Sequence, residues 1–117
     1  MVVSKRQMNE AIVVDVSGEV DMMSSPDLRR VLTEALRAKP HVLVVNLANV
    51  AYMDSSGIAT LVECLQGTRV YGGKLRLVEM RREILDVFEL ARLDRVFEIL
   101  ATEEDALRKE EPGAKTR

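Results

Sequence analysis

The chain has 117 residues, 47% of them apolar and 31% charged, and a formal charge of −2; this suits one domain with a single hydrophobic core and excludes any general electrostatic attraction to nucleic acid or an anionic membrane. One cysteine, Cys64, excludes an intramolecular disulfide and a zinc cluster. No apolar run reaches the roughly 18 residues of a membrane span, and Lys5 and Arg6 lead into no apolar stretch that would make a signal peptide, so a cytoplasmic protein without membrane insertion is expected.

In chain order, Met1–Met8 is a candidate strand led by Val2 and Val3, with a turn at Asn9-Glu10. The β-branched run Ala11–Val16 follows, ended by Ser17-Gly18, and the two pair as an antiparallel hairpin at the sheet edge. Ser25 as N-cap, Pro26 as first helical residue and Asp27 in the first turn start a helix whose apolar stripe is Leu28, Val31, Leu32, Ala35 and Leu36. Lys39-Pro40 stops it. Val42–Leu47 has no alternation, as in a central strand covered on both faces. A second helix carries on to Tyr71, with Ile58, Leu61, Val62 and Leu65 inward and Gly72-Gly73 as a left-handed stop. Lys74–Val78 reads as a strand and Arg81–Ala91 as a helix with Ile84, Val87, Phe88 and Ala91 on its inner face. Arg95–Leu100 is a last short strand, and Thr102 caps a terminal helix beginning at Glu103. Residues 1–108 therefore form one domain, and Lys109–Arg117, with almost no apolar content, is expected to be a disordered charged tail. Strand–helix–strand units of this length require right-handed parallel crossovers. The fold class is α/β: a sandwich with a mixed four-to-five-stranded sheet, its first strand antiparallel, covered by about four helices.

Between the central strand and the second helix lies Tyr52-Met53-Asp54-Ser55-Ser56-Gly57-Ile58-Ala59-Thr60, a small polar turn of an acid, two hydroxyls and a glycine. A hydroxyl there either satisfies the unpaired N–H groups of the first helical turn or marks an anion site at the positive end of the helix dipole. Catalytic uses fail on sequence grounds. Neither serine has the flanking glycines of a nucleophile elbow, and the one histidine, His41, precedes the central strand, at the opposite end from the serines. Gly72-Gly73 lacks the lysine and serine of a nucleotide-binding loop, and Asp15 and Glu19 do not form the acidic pair that would make Asp54 a receiver aspartate. No cluster has metal-ligand spacing, so no enzyme, metal or cofactor is expected. Met22, Met23, Tyr52 and Met53 fall near the same end of the sheet; flexible thioethers suit an adaptable binding surface, or else they pack beneath the loops.

Val50–Ile58 resembles the signature of the STAS domain as found in bacterial anti-sigma factor antagonists, whose core is aspartate, serine, serine or threonine, glycine. Gly18-Glu19-Val20-Asp21 is similar to the family's glycine–glutamate–aliphatic–aspartate after the second strand, and Gly72-Gly73-Lys74-Leu75 to its glycine-rich entry to the next strand. The resemblance implies a STAS-type sandwich and a partner-switching regulator. In such systems the unphosphorylated antagonist binds an anti-sigma factor that is also a serine kinase, which frees a sigma factor. Phosphorylation ends the binding, and a metal-dependent serine phosphatase of the PP2C type restores it. Ser55 matches the phosphoacceptor and Ser56 the second hydroxyl, read as capping or packing. Asp21 and Asp54 match acids near the acceptor, and the partner surface expected is Asp21, Met22, Met23, Tyr52, Met53, Asp54, Ser56, Gly57, Ile58 and Ala59.

Two other roles suit the same fold: a subunit of a phospholipid-transport ABC system that binds its ATPase, and a scaffold in a stress-signalling complex. The Asp54-Ser55-Ser56 run favours phosphoregulation, since a pure scaffold needs no hydroxyl there. The sequence leaves the oligomeric state open.

Overall fold

The computed structural model describes residues 1–108; the expected tail, residues 109–117, lies outside the described residues. The elements are β1 (Val2–Met8), β2 (Ala11–Val20), α1 (Ser25–Arg37), β3 (Val42–Met53), α2 (Ser55–Val70), β4 (Lys74–Val78), α3 (Arg82–Leu90), a 3-10 turn (Leu93–Arg95), β5 (Glu98–Leu100) and α4 (Glu103–Arg108). They form one five-stranded sheet in the order β1-β2-β3-β4-β5, with β1 antiparallel to β2 and the other pairings parallel. This is the mixed sheet expected, with the strand–helix order expected.

The sheet's two faces are covered unequally. Leu28, Val31, Leu32 and Ala35 of α1, Leu61, Cys64 and Leu65 of α2, and Ile84 and Phe88 of α3 meet Ile12, Val14, Leu43, Val45 and Leu77 in one large core. On the other face, among the described residues, only the short α4 packs, through Ala106, against Ala11, Val13, Val42, Val44 and Val78. Polar groups hold it there. Glu103 takes Arg6 at 2.8 Å and the Asn46 amide at 2.8 Å, and the buried guanidinium of Arg76 donates to the Ala106 carbonyl at 2.8 Å.

Several boundaries differ from the sequence reading. β2 does not end at Ser17-Gly18: Gly18 adopts φ of 98° and still pairs with Val50, and after a register shift the strand continues with Glu19 opposite Tyr52 and Val20 opposite Met53. β3 runs on past Leu47 to Met53, the very edge of the polar turn. The N-cap of α1 is Ser24 rather than Ser25, which is buried as the first helical residue. The inner face of α2 is rotated from the one expected: Gly57, Thr60, Leu61, Cys64, Leu65 and Thr68 are buried, while Ile58 and Val62 sit half-buried at its flank. Small and hydroxyl residues let this helix approach closely, and apolar spacing alone does not register them. Thr60 and Thr68 satisfy their hydroxyls on helix carbonyls, Ser56 and Leu65, at 2.9 and 2.8 Å. In α3, Val87 is exposed and Ala91 lies beyond the helix; Phe88 instead meets Phe97 at a ring separation of 5.7 Å. The segment read as Arg95–Leu100 is split, leaving a three-residue β5.

Other local signals hold. Gly72, at φ of 80°, closes α2, with Gly73 N–H on the Thr68 carbonyl and Gly72 N–H on that of Arg69, a Schellman arrangement. Thr102 Oγ1 caps α4 by accepting from Asp105 N–H at 3.0 Å. Cys64 is buried, which pushes its thiol up to about 12.

Candidate functional site

The site forms where β2 and β3 end side by side. The parallel pairing of Val20 with Met53, and the Asp54 N–H on the Val20 carbonyl at 3.1 Å, bring the turn after β2 against the turn after β3. Residues about 33 positions apart thus form one surface, Asp21–Ser24 beside Tyr52–Ile58.

Each turn is built around an aspartate. Asp54 is the N-cap of α2 in an extended conformation, and its Oδ1 accepts from the Ser56 N–H at 2.9 Å and the Ser56 hydroxyl at 2.6 Å. The Ser56 hydroxyl chiefly holds this carboxyl below its usual range, and the Ser56, Gly57 and Met22 N–H groups act in the same direction. The cap expected from a hydroxyl is therefore supplied by the acid, with Ser56 as donor to it. Asp21 plays the matching part before α1: Oδ1 accepts from the N–H groups of Met23 and Ser24, both at 3.0 Å. Ser24 Oγ in turn accepts from Asp21 N–H at 2.9 Å and donates to the Glu19 carbonyl at 2.9 Å. Sequence reasoning missed Ser24. The signal was an aspartate followed three residues later by a serine, a pattern of local side-chain-to-backbone bonding.

The adjacent serines are placed differently. Ser56 is half-buried and its hydroxyl is committed to Asp54. Ser55 is exposed at the first position of a 16-residue helix, and among the described residues its hydroxyl makes no hydrogen bond. A group added there meets solvent and the positive end of α2 on one side, and the Asp54 carboxylate on the other.

Of the remaining residues read from the sequence, Met22 and Met23 are 75% and 88% exposed and Tyr52 is 49% exposed. Ala59 is exposed and Ile58 half-buried. Met53 and Gly57 lie beneath this surface: Met53 is 6% exposed, and a Cβ on Gly57 would stand 2.7 Å from both Met53 Cγ and Val20 Cγ1. The two alternatives for the methionines are thus divided, Met22 and Met23 outside and Met53 packed under the turn. His41 precedes β3, and its carbonyl accepts from Lys74 N–H, so a 12-residue strand separates it from Ser55, roughly 35–40 Å at the usual rise. Among the described residues no group of three or more His, Cys, Asp or Glu side chains is placed to hold a metal ion, and no helix is long and apolar enough to cross a membrane.

The profile of the STAS domain matches residues 3–106, and the chain belongs to that family. Its relatives include the anti-sigma-B factor antagonist of Bacillus subtilis, 30% identical over 102 residues, which cover 87% of this chain and 93% of that protein. Among solved structures, an anti-sigma factor antagonist from Mycobacterium paratuberculosis superposes with a TM-score of 0.84 at 27% identity, covering 92% of each chain. The fold is shared as well with the anti-sigma factor antagonist SpoIIAA in its unphosphorylated form, at a TM-score of 0.72 and 20% identity, over 92% of this chain and 96% of that one.

Proposed function

We propose that this chain is an anti-sigma factor antagonist working by partner switching in the cytoplasm. In the unmodified state the surface around Ser55 docks on an anti-sigma factor that is also a serine kinase, and the sigma factor is released. Transfer of a phosphate to Ser55 ends the docking, and a PP2C-type serine phosphatase reverses it. The chain catalyses nothing in this scheme; it is substrate and ligand. The observation that carries the reading is the contrast between the serines: Ser55 is exposed and its hydroxyl makes no hydrogen bond among the described residues, whereas Ser56 is half-buried and bound to Asp54 at 2.6 Å.

The electrostatics support a charge switch. A phosphate brings about −1.5 to −2 charges and three strong acceptors, tolerated by the α2 N-terminus but set beside Asp54 and near Asp21. Repulsion or lost packing worth about 1.4 kcal/mol weakens docking tenfold. No change of fold is required. SpoIIAA supports this by analogy, since its unphosphorylated and phosphorylated structures match the chain with TM-scores of 0.72 and 0.71.

The test is a pull-down from the native host with phosphosite mass spectrometry on the recovered chain. The reading expects a kinase-like anti-sigma factor bound to unmodified chain, and phosphate on Ser55 with Ser56 unmodified. No phosphate on Ser55 under any growth condition, together with no kinase-like partner, overturns it.

A further inference from the structure

Among the hydrophobic side chains left open on this surface, Met22 and Met23 are extreme, at 75% and 88% exposure. The turn keeps them there. Asp21 Oδ1 holds the N–H groups of Met23 and Ser24, and the Met22 N–H faces the Asp54 carboxylate, so the backbone is fixed with both thioethers outside. Met53, directly beneath, is 6% exposed, and Met1 and Met80 are half-buried against the core. Two open sulfurs thus stand beside the phosphoacceptor candidate, with a shielded one below as an internal reference.

We propose that Met22 and Met23 form an oxidation site for hydrogen peroxide or a related peroxide, and that their oxidation weakens docking independently of phosphorylation. The second half rests on the functional reading above, which puts the partner on this surface. A thioether sulfur lone pair attacks one peroxide oxygen; the S–O bond forms as the O–O bond breaks. The departing hydroxide takes up the proton left on the transferred oxygen and leaves as water. Sulfur is oxidised by two electrons and peroxide reduced by two. The product, methionine sulfoxide, replaces a flexible apolar group with a polar acceptor, and methionine sulfoxide reductase can return it. A surface that docks by burying thioethers then has to bury two S=O groups, so a loss of tenfold or more in affinity is expected.

The experiment treats the full chain with hydrogen peroxide, follows each methionine by peptide mapping, and measures affinity for the anti-sigma factor recovered in the pull-down. Met22 and Met23 are expected to oxidise at least tenfold faster than Met53, with affinity falling in step and restored by the reductase. In a Met22→Leu/Met23→Leu chain, whatever its starting affinity, peroxide is expected to change nothing. A Met8→Leu chain, altered at the other end of the sheet, keeps the full loss. Equal oxidation rates at Met22, Met23 and Met53 overturn the site. Oxidation of Met22 and Met23 with unchanged affinity overturns its effect on docking while leaving the functional reading in place. Failure of the untreated chain to bind overturns both.

Discussion

Two serines stand side by side at positions 55 and 56, and hydrogen bonding separates their uses. Because the Ser56 hydroxyl is the main group holding Asp54 below its usual value of 3.8, Ser56→Ala should raise the Asp54 titration toward that value. Side-chain carboxyl carbon NMR would follow it. The sign follows from the depressed value: Asp54's contribution to stability is present above about pH 3.8 and is lost as pH falls through the lower, folded-state value. Gly57 is constrained by space rather than by backbone angle. Gly57→Ala drives a Cβ into Met53 and Val20, and should cost about 1–3 kcal/mol in urea unfolding. The sequence pointed to Asp54, Ser55 and Ser56 as a group, and resemblance ranked the serines. What composition and spacing did not reveal was that Asp54 is the cap, or that Ser24 ties the neighbouring turn, because both depend on which oxygen faces which N–H.

At the scale of elements, the legible parts were those with a one-dimensional signature: the β-branched β2, the proline start of α1, the glycine stop of α2 and the threonine cap of α4. The inner face of α2 was misread because Gly57, Thr60 and Thr68 carry no hydrophobic signal, yet the helix buries them by satisfying each hydroxyl locally. The same face contains Leu61, fully buried, and Leu61→Ala should cost about 2–5 kcal/mol with the fold retained. The α4 element was placed correctly in sequence, but what holds it to the sheet was not readable, since Arg6, Asn46 and Glu103 are 40 or more positions apart from one another. Arg6 keeps the Glu103 carboxyl below its ordinary 4.5, so α4 docking is fully supported above that pH and loosens as pH falls through the depressed value. Glu103→Gln should loosen it at neutral pH by on the order of 1 kcal/mol. Amide exchange in α4 then speeds several-fold while the global unfolding midpoint moves little, and an unchanged α4 exchange rate would show that the contact is incidental.

At the scale of the whole molecule, the fold does one thing for the site: parallel pairing of β2 with β3 sets two aspartate-braced turns side by side at one end of the sheet, above a packed layer of Val20, Met53 and Gly57. That rigidity makes a charge switch without refolding physically reasonable, because a phosphate on Ser55 alters the surface potential and shape while the cap beneath it is held by other atoms. The mixed sense of the sheet, with its antiparallel first strand at the edge, was readable from element order and crossover rules. That the two turns share one end of the sheet was also read from the sequence; what was not readable is how they are joined, since that depends on β2 extending through Gly18 so that Val20 pairs with Met53. The most direct test compares Ser55→Asp with the unmodified chain in affinity for the recovered anti-sigma factor, with thermal unfolding of both measured alongside. The account predicts a loss of about tenfold or more in affinity, with Ser56→Asp instead lowering stability through the Asp54 cap. A Ser55→Asp chain that binds as tightly as the unmodified chain, with the fold intact, would contradict it.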